Sequence, residues 1–281
     1  MTQRWGFLAA VLVIVLLLAS PSPSGATSCD LFTAGSSCTI NGAIYTQVPE
    51  RPTGSGVIDS FVRIDTPGGS VTPSEQGYNT SVRPLPQSGG GQVNQYTNTS
   101  LTFTHDLSLG SVPISGGFRQ FLLDINEANS NPIDARLTLD RVLIFVTPTA
   151  LLDPVLTLTA LSGTLTGNGG TFNPIYNLDN GGDNWVNLNY ALNTGSGSGD
   201  MTLNVPISAT SGFVYLYSQF GCDAAKGEDT CGTGVLTKYA ASDGYEEWAT
   251  TAQAIPEPAT ILLLGIGLVG TGLMWSRRRR P

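Results

Sequence analysis

Apolar and polar residues alternate with a period of two along much of the chain, the pattern of strands with one buried face. Leu101, Phe103, His105, Leu107 and Leu109 alternate with Thr102, Thr104, Asp106 and Ser108. Phe121, Leu123 and Ile125 alternate with Gln120 and Asp124, and Val186, Leu188, Tyr190 and Leu192 with Asn187 and Asn189. Further strands are predicted over Val57 to Ile64, residues 155–161, Met201 to Ile207, Phe213 to Phe220 and Tyr245 to Trp248. Residues 137–146 are apolar almost throughout, as in a strand covered on both faces. Turn formers separate the runs at Thr66-Pro67-Gly68-Gly69, Ser88 to Gly91, Gly167 to Gly170, Asp179 to Asn184 and Gly195 to Gly199. No helical period of useful length and no internal repeat interrupts them. The pattern predicts an all-β, antiparallel sandwich of jelly-roll-like kind over residues 27–254.

The two ends follow other rules. Arg4, the apolar run Phe7 to Ala19 and the small residues Ser24-Gly25-Ala26 predict a secretory signal peptide over residues 1–26. At the other end Pro256-Glu257-Pro258 precedes an uncharged apolar stretch, Ala259 to Trp275, and then Arg277, Arg278, Arg279 and Arg280. A helix over 259–275 would be roughly 25 Å long, enough to cross a hydrocarbon core that thins slightly around it. The arginines would stay cytoplasmic and leave the body on the periplasmic side of the inner membrane.

This tail, residues 255–281, resembles the PEP-CTERM sorting signal: a Pro-Glu-Pro triplet, a Gly-rich apolar helix and a terminal arginine cluster. The resemblance implies an exosortase-type processing protease as partner, with Pro256, Glu257, Pro258 and Arg277 to Arg280 as the sorting signal. It also implies a Gram-negative producer of extracellular polysaccharide, with the helix as a temporary anchor before delivery to the cell surface or matrix. Phrases in the body such as Glu75-Gln76-Gly77-Tyr78 and Gly244-Tyr245-Glu246-Glu247-Trp248 resemble an ectodomain of bacterial exported proteins, to which no activity attaches.

Charge narrows the body's partners. The chain carries 13 basic and 21 acidic residues, a net charge of −8. Twenty of the acidic residues but only eight of the basic ones lie between the two end segments, which excludes nucleic-acid binding through phosphates and favours divalent cations. Four cysteines, Cys29, Cys38, Cys222 and Cys231, predict two disulfides in an exported chain. Three pairings exist, and the twin eight-residue spacings favour the local pairs Cys29–Cys38 and Cys222–Cys231. That spacing is too wide for a zinc knuckle.

Candidate chemistry is sparse. His105 is the single histidine and falls on the apolar face of its predicted strand, with Asp106 pointing the other way. Glu246 and Glu247 also face opposite sides of a strand, which does not make the facing carboxylates of a glycosidase. Oxygen-rich loops at 124–131 and 179–184 make Asp124, Asn126, Glu127, Asp179 and Asp183 candidate calcium ligands. Trp185, Tyr190, Tyr215, Tyr217, Tyr245 and Trp248 lie in or beside strands, and most belong in a core. The expectation is a non-enzymatic, structural or adhesive protein of the cell surface or matrix. The alternatives are a calcium-assisted carbohydrate-binding module and an extracellular glycoside hydrolase.

Overall fold

The computed structural model describes residues 26–48, 58–65, 74–86, 93–132, 134–195, 197, 199–221, 241 and 244–250. Strands, in chain order, are β1 (Ser28–Asp30), β2 (Ser37–Ile40), β3 (Ala43–Gln47), β4 (Ser60–Asp65), β5 (Ser74–Tyr78) and β6 (Leu107–Ser108). They continue with β7 (Ile114–Ser115), β8 (Phe118–Asp124), β9 (Arg136–Thr147), β10 (Val155–Leu158), β11 (Gly163–Gly167) and β12 (Gly170–Phe172). The last are β13 (Tyr176–Asn177), β14 (Trp185–Asn189), β15 (Met201–Val205), β16 (Phe213–Gly221) and β17 (Tyr245–Thr250). Helix among the described residues is confined to 3-10 turns at Leu109–Ser111 and Tyr190–Leu192.

The strands form two large sheets and one small one. The first has the order β1-β14-β9-β16-β5, with β13 added to β9 and β6 to β16. The second runs β2-β3-β15-β8-β17-β4, with β7 added to β8. Every pairing is antiparallel except β1 with β14. Leu137, Leu139, Val186, Val214 and Leu216 of the first sheet share one core with Tyr45, Phe121, Leu123, Leu203 and Trp248 of the second. The two sheets therefore face each other, with side chains alternating inward along each strand.

The long apolar strand is the clearest match to the sequence. β9 is buried along nearly its whole length. Its Val142 and Ile144 face the inter-sheet core, while Leu143 and Phe145 join Tyr78, Tyr215 and Tyr217 on the outer face. That outer face is covered by Leu156 and Leu165 of the three-stranded sheet β10-β11-β12. The turn predicted at 167–170 is the β11–β12 hairpin, with Asn168 at φ 49° and Gly169 at φ 75°. A second Asn-Gly pair, Asn41 (φ 50°) and Gly42 (φ 81°), turns β2 into β3; these paired positive φ values match the strand twist of a two-residue hairpin.

One predicted strand is corrected. Residues 101–104 form a turn, not the start of a strand over 101–109, and Leu101 is 55% exposed. The polar sequence just before it decides the outcome. Asn98 Oδ1 accepts the Ser100 N–H (2.9 Å), Ser100 Oγ accepts that of Thr102 (3.3 Å), and the Ser100 carbonyl accepts those of Phe103 and Thr104. Local side-chain acceptors thus outcompete a ladder, and pairing resumes only at β6. The strand predicted through Leu192 likewise ends at Asn189, whose side chain caps the following 3-10 turn.

Candidate functional site

Five buried acidic side chains, Asp124, Asp200, Glu75, Glu127 and Glu246, lie towards one end of the sandwich, where β8 ends and β5, β15 and β17 begin. Asp124 closes β8 and is 1% exposed. Its Oδ2 accepts the Gly197 N–H at 2.7 Å and its Oδ1 that of Gly199 at 3.0 Å. Asp200 lies beside it and accepts the Ile125 N–H through Oδ2 at 2.8 Å. Burial pushes the Asp200 carboxyl well above the usual carboxylate range, and the neighbouring Asp124 charge adds to this, with the Ile125 N–H opposing. Asn193 completes the anchor by donating Nδ2 to the carbonyls of Val48 (2.7 Å) and Gly199 (2.9 Å). These groups fix a glycine-rich segment that has no apolar side chains of its own to hold it.

A second acidic group lies between the sheets. Glu75 on β5 and Glu246 on β17 point inward from opposite sheets, at 0% and 1% exposure, with Glu127 at 3% beside them. Burial raises the Glu246 carboxyl well above its ordinary range. The neighbouring Glu75 carboxyl raises it further, then Glu127, while the Asn126 backbone opposes them. Burial and a neighbouring carboxyl both disfavour the charged form of Glu246. Glu247 faces the other way, as the strand period requires, and pairs with Arg63 (2.5 Å), whose guanidinium lies 3.4 Å from the Phe103 ring centroid and 4.7 Å from that of Tyr245.

The predicted calcium residues are distributed among these roles. Asp124 holds the Gly197 and Gly199 N–H groups, Glu127 lies with Glu246, and Asn126 is half-buried next to Gly244. Asp179 accepts the Asn184 N–H at 3.0 Å and meets Arg141 at 3.5 Å, which closes the turn containing Asp183. Among the described residues no three His, Cys, Asp or Glu side chains converge as a metal would require. His105 is half-buried, and its backbone N–H donates to the Phe61 carbonyl. Tyr190, Tyr215, Tyr217 and Trp248 are buried, and Tyr245 is 37% exposed.

The disulfide Cys29–Cys38 is present, with its Cα atoms 6.2 Å apart. It joins β1 of one sheet to β2 of the other. Cys222 and Cys231, residues 1–25 of the predicted signal peptide, and the tail with Pro256, Glu257, Pro258 and Arg277 to Arg280 lie outside the described residues. No described helix is long and apolar enough to cross a membrane.

Sequence reasoning missed the Glu75–Glu246 pair and the Asp124–Asp200 pair. The partners are brought together by sheet facing and strand pairing, which no local spacing encodes. The inward phase of Glu246 was readable from Trp248 two residues on; its partner was not.

An all-β body stapled by a disulfide, with its acids folded inward, belongs to the class of protein domains built for an oxidising, extracytoplasmic setting. Residues 254–280 match the model of the PEP-CTERM protein-sorting motif. The protein is accordingly exported and membrane-associated, is sorted to the cell surface, and carries the tail that the membrane protease exosortase processes. No curated protein and no solved structure matches the chain.

Proposed function

We propose that the body is a non-enzymatic, structural component of the cell surface or extracellular matrix, a jelly-roll-like sandwich delivered by its tail. In this reading residues 259–275 cross the inner membrane as a helix, with the body on the periplasmic side, until processing releases it to contact the extracellular polysaccharide. One observation carries the non-catalytic part: the acids best placed for chemistry serve the fold. Asp124 and Asp200 are buried anchors of backbone N–H groups, Asp179 is a turn anchor paired with Arg141, and Glu246 is sealed between the sheets. A glycosidase needs two carboxyls about 5 Å or more apart around an open gap that admits a sugar. Glu75 and Glu246 meet instead in the core. The test is to incubate the purified chain with the producer's own extracellular polysaccharide and measure both sedimentation with the polymer and new reducing ends. Co-sedimentation without reducing ends is expected; release of reducing ends would contradict the reading.

A further inference from the structure

A different part of the molecule offers an open, uncharged pocket. It lies where the β2–β3 hairpin tip meets the segment leading through β13, with a cavity of about 240 Å³ lined by Asn41, Ser162, Pro174, Ile175, Tyr176, Asn177 and Asn180. Its walls are held from behind. Asn41 Nδ2 donates to the carbonyls of Asn177 (3.1 Å) and Leu178 (2.7 Å), which pins the hairpin tip. Asn177 uses both ends of its amide, donating to the Leu161 carbonyl (2.9 Å) and accepting the Asp179 N–H (2.9 Å). Below them Tyr176 Oη meets Tyr45 Oη at 2.6 Å and the Ile40 carbonyl at 3.3 Å, so the floor is tied to both sheets.

What remains on the inside is neutral. The Ser162 hydroxyl, the Asn180 amide and Asn41 Oδ1 make no hydrogen bond to another described residue. Ile175, 48% exposed, and Pro174 supply an apolar side. No charged side chain lines the cavity, and the chain's net charge of −8 repels anions. The volume is below the roughly 300–1,000 Å³ of pockets for drug-sized ligands, so it admits a single small ring. A ring with hydroxyls around its rim and C–H groups on its face matches such a lining: hydroxyls meet the amides and Ser162, and the C–H face meets Ile175 and Pro174.

We propose that this pocket binds one neutral hexose unit of a glycan, through Asn41, Ser162 and Asn180 with Ile175 as the apolar platform. The site is separate from the acidic end and holds whether or not the body's role is structural. Saturation-transfer NMR on the purified full chain tests it, with the methyl glycosides of glucose, galactose and mannose as probes and glucuronate as the charged comparison. Ser162→Ala and Asn180→Ala remove groups without an internal partner, so both variants fold, which circular dichroism checks; Ser115→Ala on β7 is the distant control. At least one neutral glycoside is expected to receive saturation, and each pocket variant is expected to weaken its binding about five-fold, the worth of one lost hydrogen bond, with the control unchanged. No transfer to any glycoside, transfer undiminished in both pocket variants, or equal transfer to glucuronate would overturn the proposal.

Discussion

Trp248 on β17 donates its indole Nε1–H to Ser218 Oγ on β16 at 3.0 Å, a hydrogen bond that passes from one sheet to the other through a core in which both residues are 0% exposed. It is one of a row of ties across the sandwich. Cys29–Cys38 stands at the β1/β2 edge, and Tyr45–Tyr176 and Trp248–Ser218 lie inside. Apolar packing brings the sheets together without fixing their offset; these directional contacts set it.

The Trp248 contact gives a graded prediction. Trp248→Ala removes the largest fully buried side chain among the described residues and is expected to cost about 3–5 kcal/mol. Ser218→Ala keeps the packing but leaves the indole N–H without its acceptor, an expected loss of about 1–3 kcal/mol. Urea unfolding of both variants checks the order, and equal stability of Ser218→Ala and wild type would remove the hydrogen bond from the account.

Glu246 makes stability depend on pH in a stated direction. Burial, reinforced by Glu75 and then Glu127, raises its folded-state pKa above the unfolded one, so the folded protein holds the proton more tightly. Stability is then fullest below the ordinary carboxylate range and falls as pH rises beyond it, by about 1.4 kcal/mol per pH unit while the folded carboxyl stays protonated. Asp200, raised chiefly by its burial, contributes with the same sign. Glu246→Gln is expected to flatten the dependence, read as urea midpoints across the acidic to neutral range. An unchanged slope would show that another group carries it.

Asp124 predicts a local effect. Asp124→Ala leaves the Gly197 and Gly199 N–H groups without their acceptor, at a cost of about 3 kcal/mol for two hydrogen bonds to a buried charged group. Amide exchange is expected to accelerate at those two glycines more than in β9. A uniform change across the body would instead mark a general loss of packing.

The disulfide closes a short loop, its half-cystines separated by nine positions in the sequence. The chain-entropy relation gives about 2.5 kcal/mol for that length. Cys38→Ser is expected to lower stability by this order while the paired strands persist in circular dichroism. Free thiols at both Cys29 and Cys38 in the exported protein would contradict the bond.

The sequence was most legible where one physical effect dominated. Unbroken apolarity over 137–146 announced a doubly covered strand, and β9 carries apolar clusters on both faces. Asn-Gly and Gly-rich stretches marked the turn at 167–170, and the opposed phases of Glu246 and Glu247 followed from the strand period. Legibility failed where two signals competed. At 101–109 the alternation was sound, but the Asn98 and Ser100 side chains bent the backbone first. The facing of Glu75 with Glu246 depends on how two sheets stack, and the pocket depends on a hairpin tip meeting a segment more than a hundred residues away. Neither leaves a local trace. The sorting tail was the opposite case: its triplet, apolar stretch and arginine cluster follow one another along the chain, and the motif match covers them at residues 254–280.

The most direct measurement is the intact mass of the protein recovered from the cell surface of its producer, beside that of the membrane fraction. Sorting through the PEP-CTERM tail predicts surface protein that has lost Arg277 to Arg280, with the uncut tail confined to the membrane fraction. Surface protein that keeps all four arginines would contradict processing at this motif.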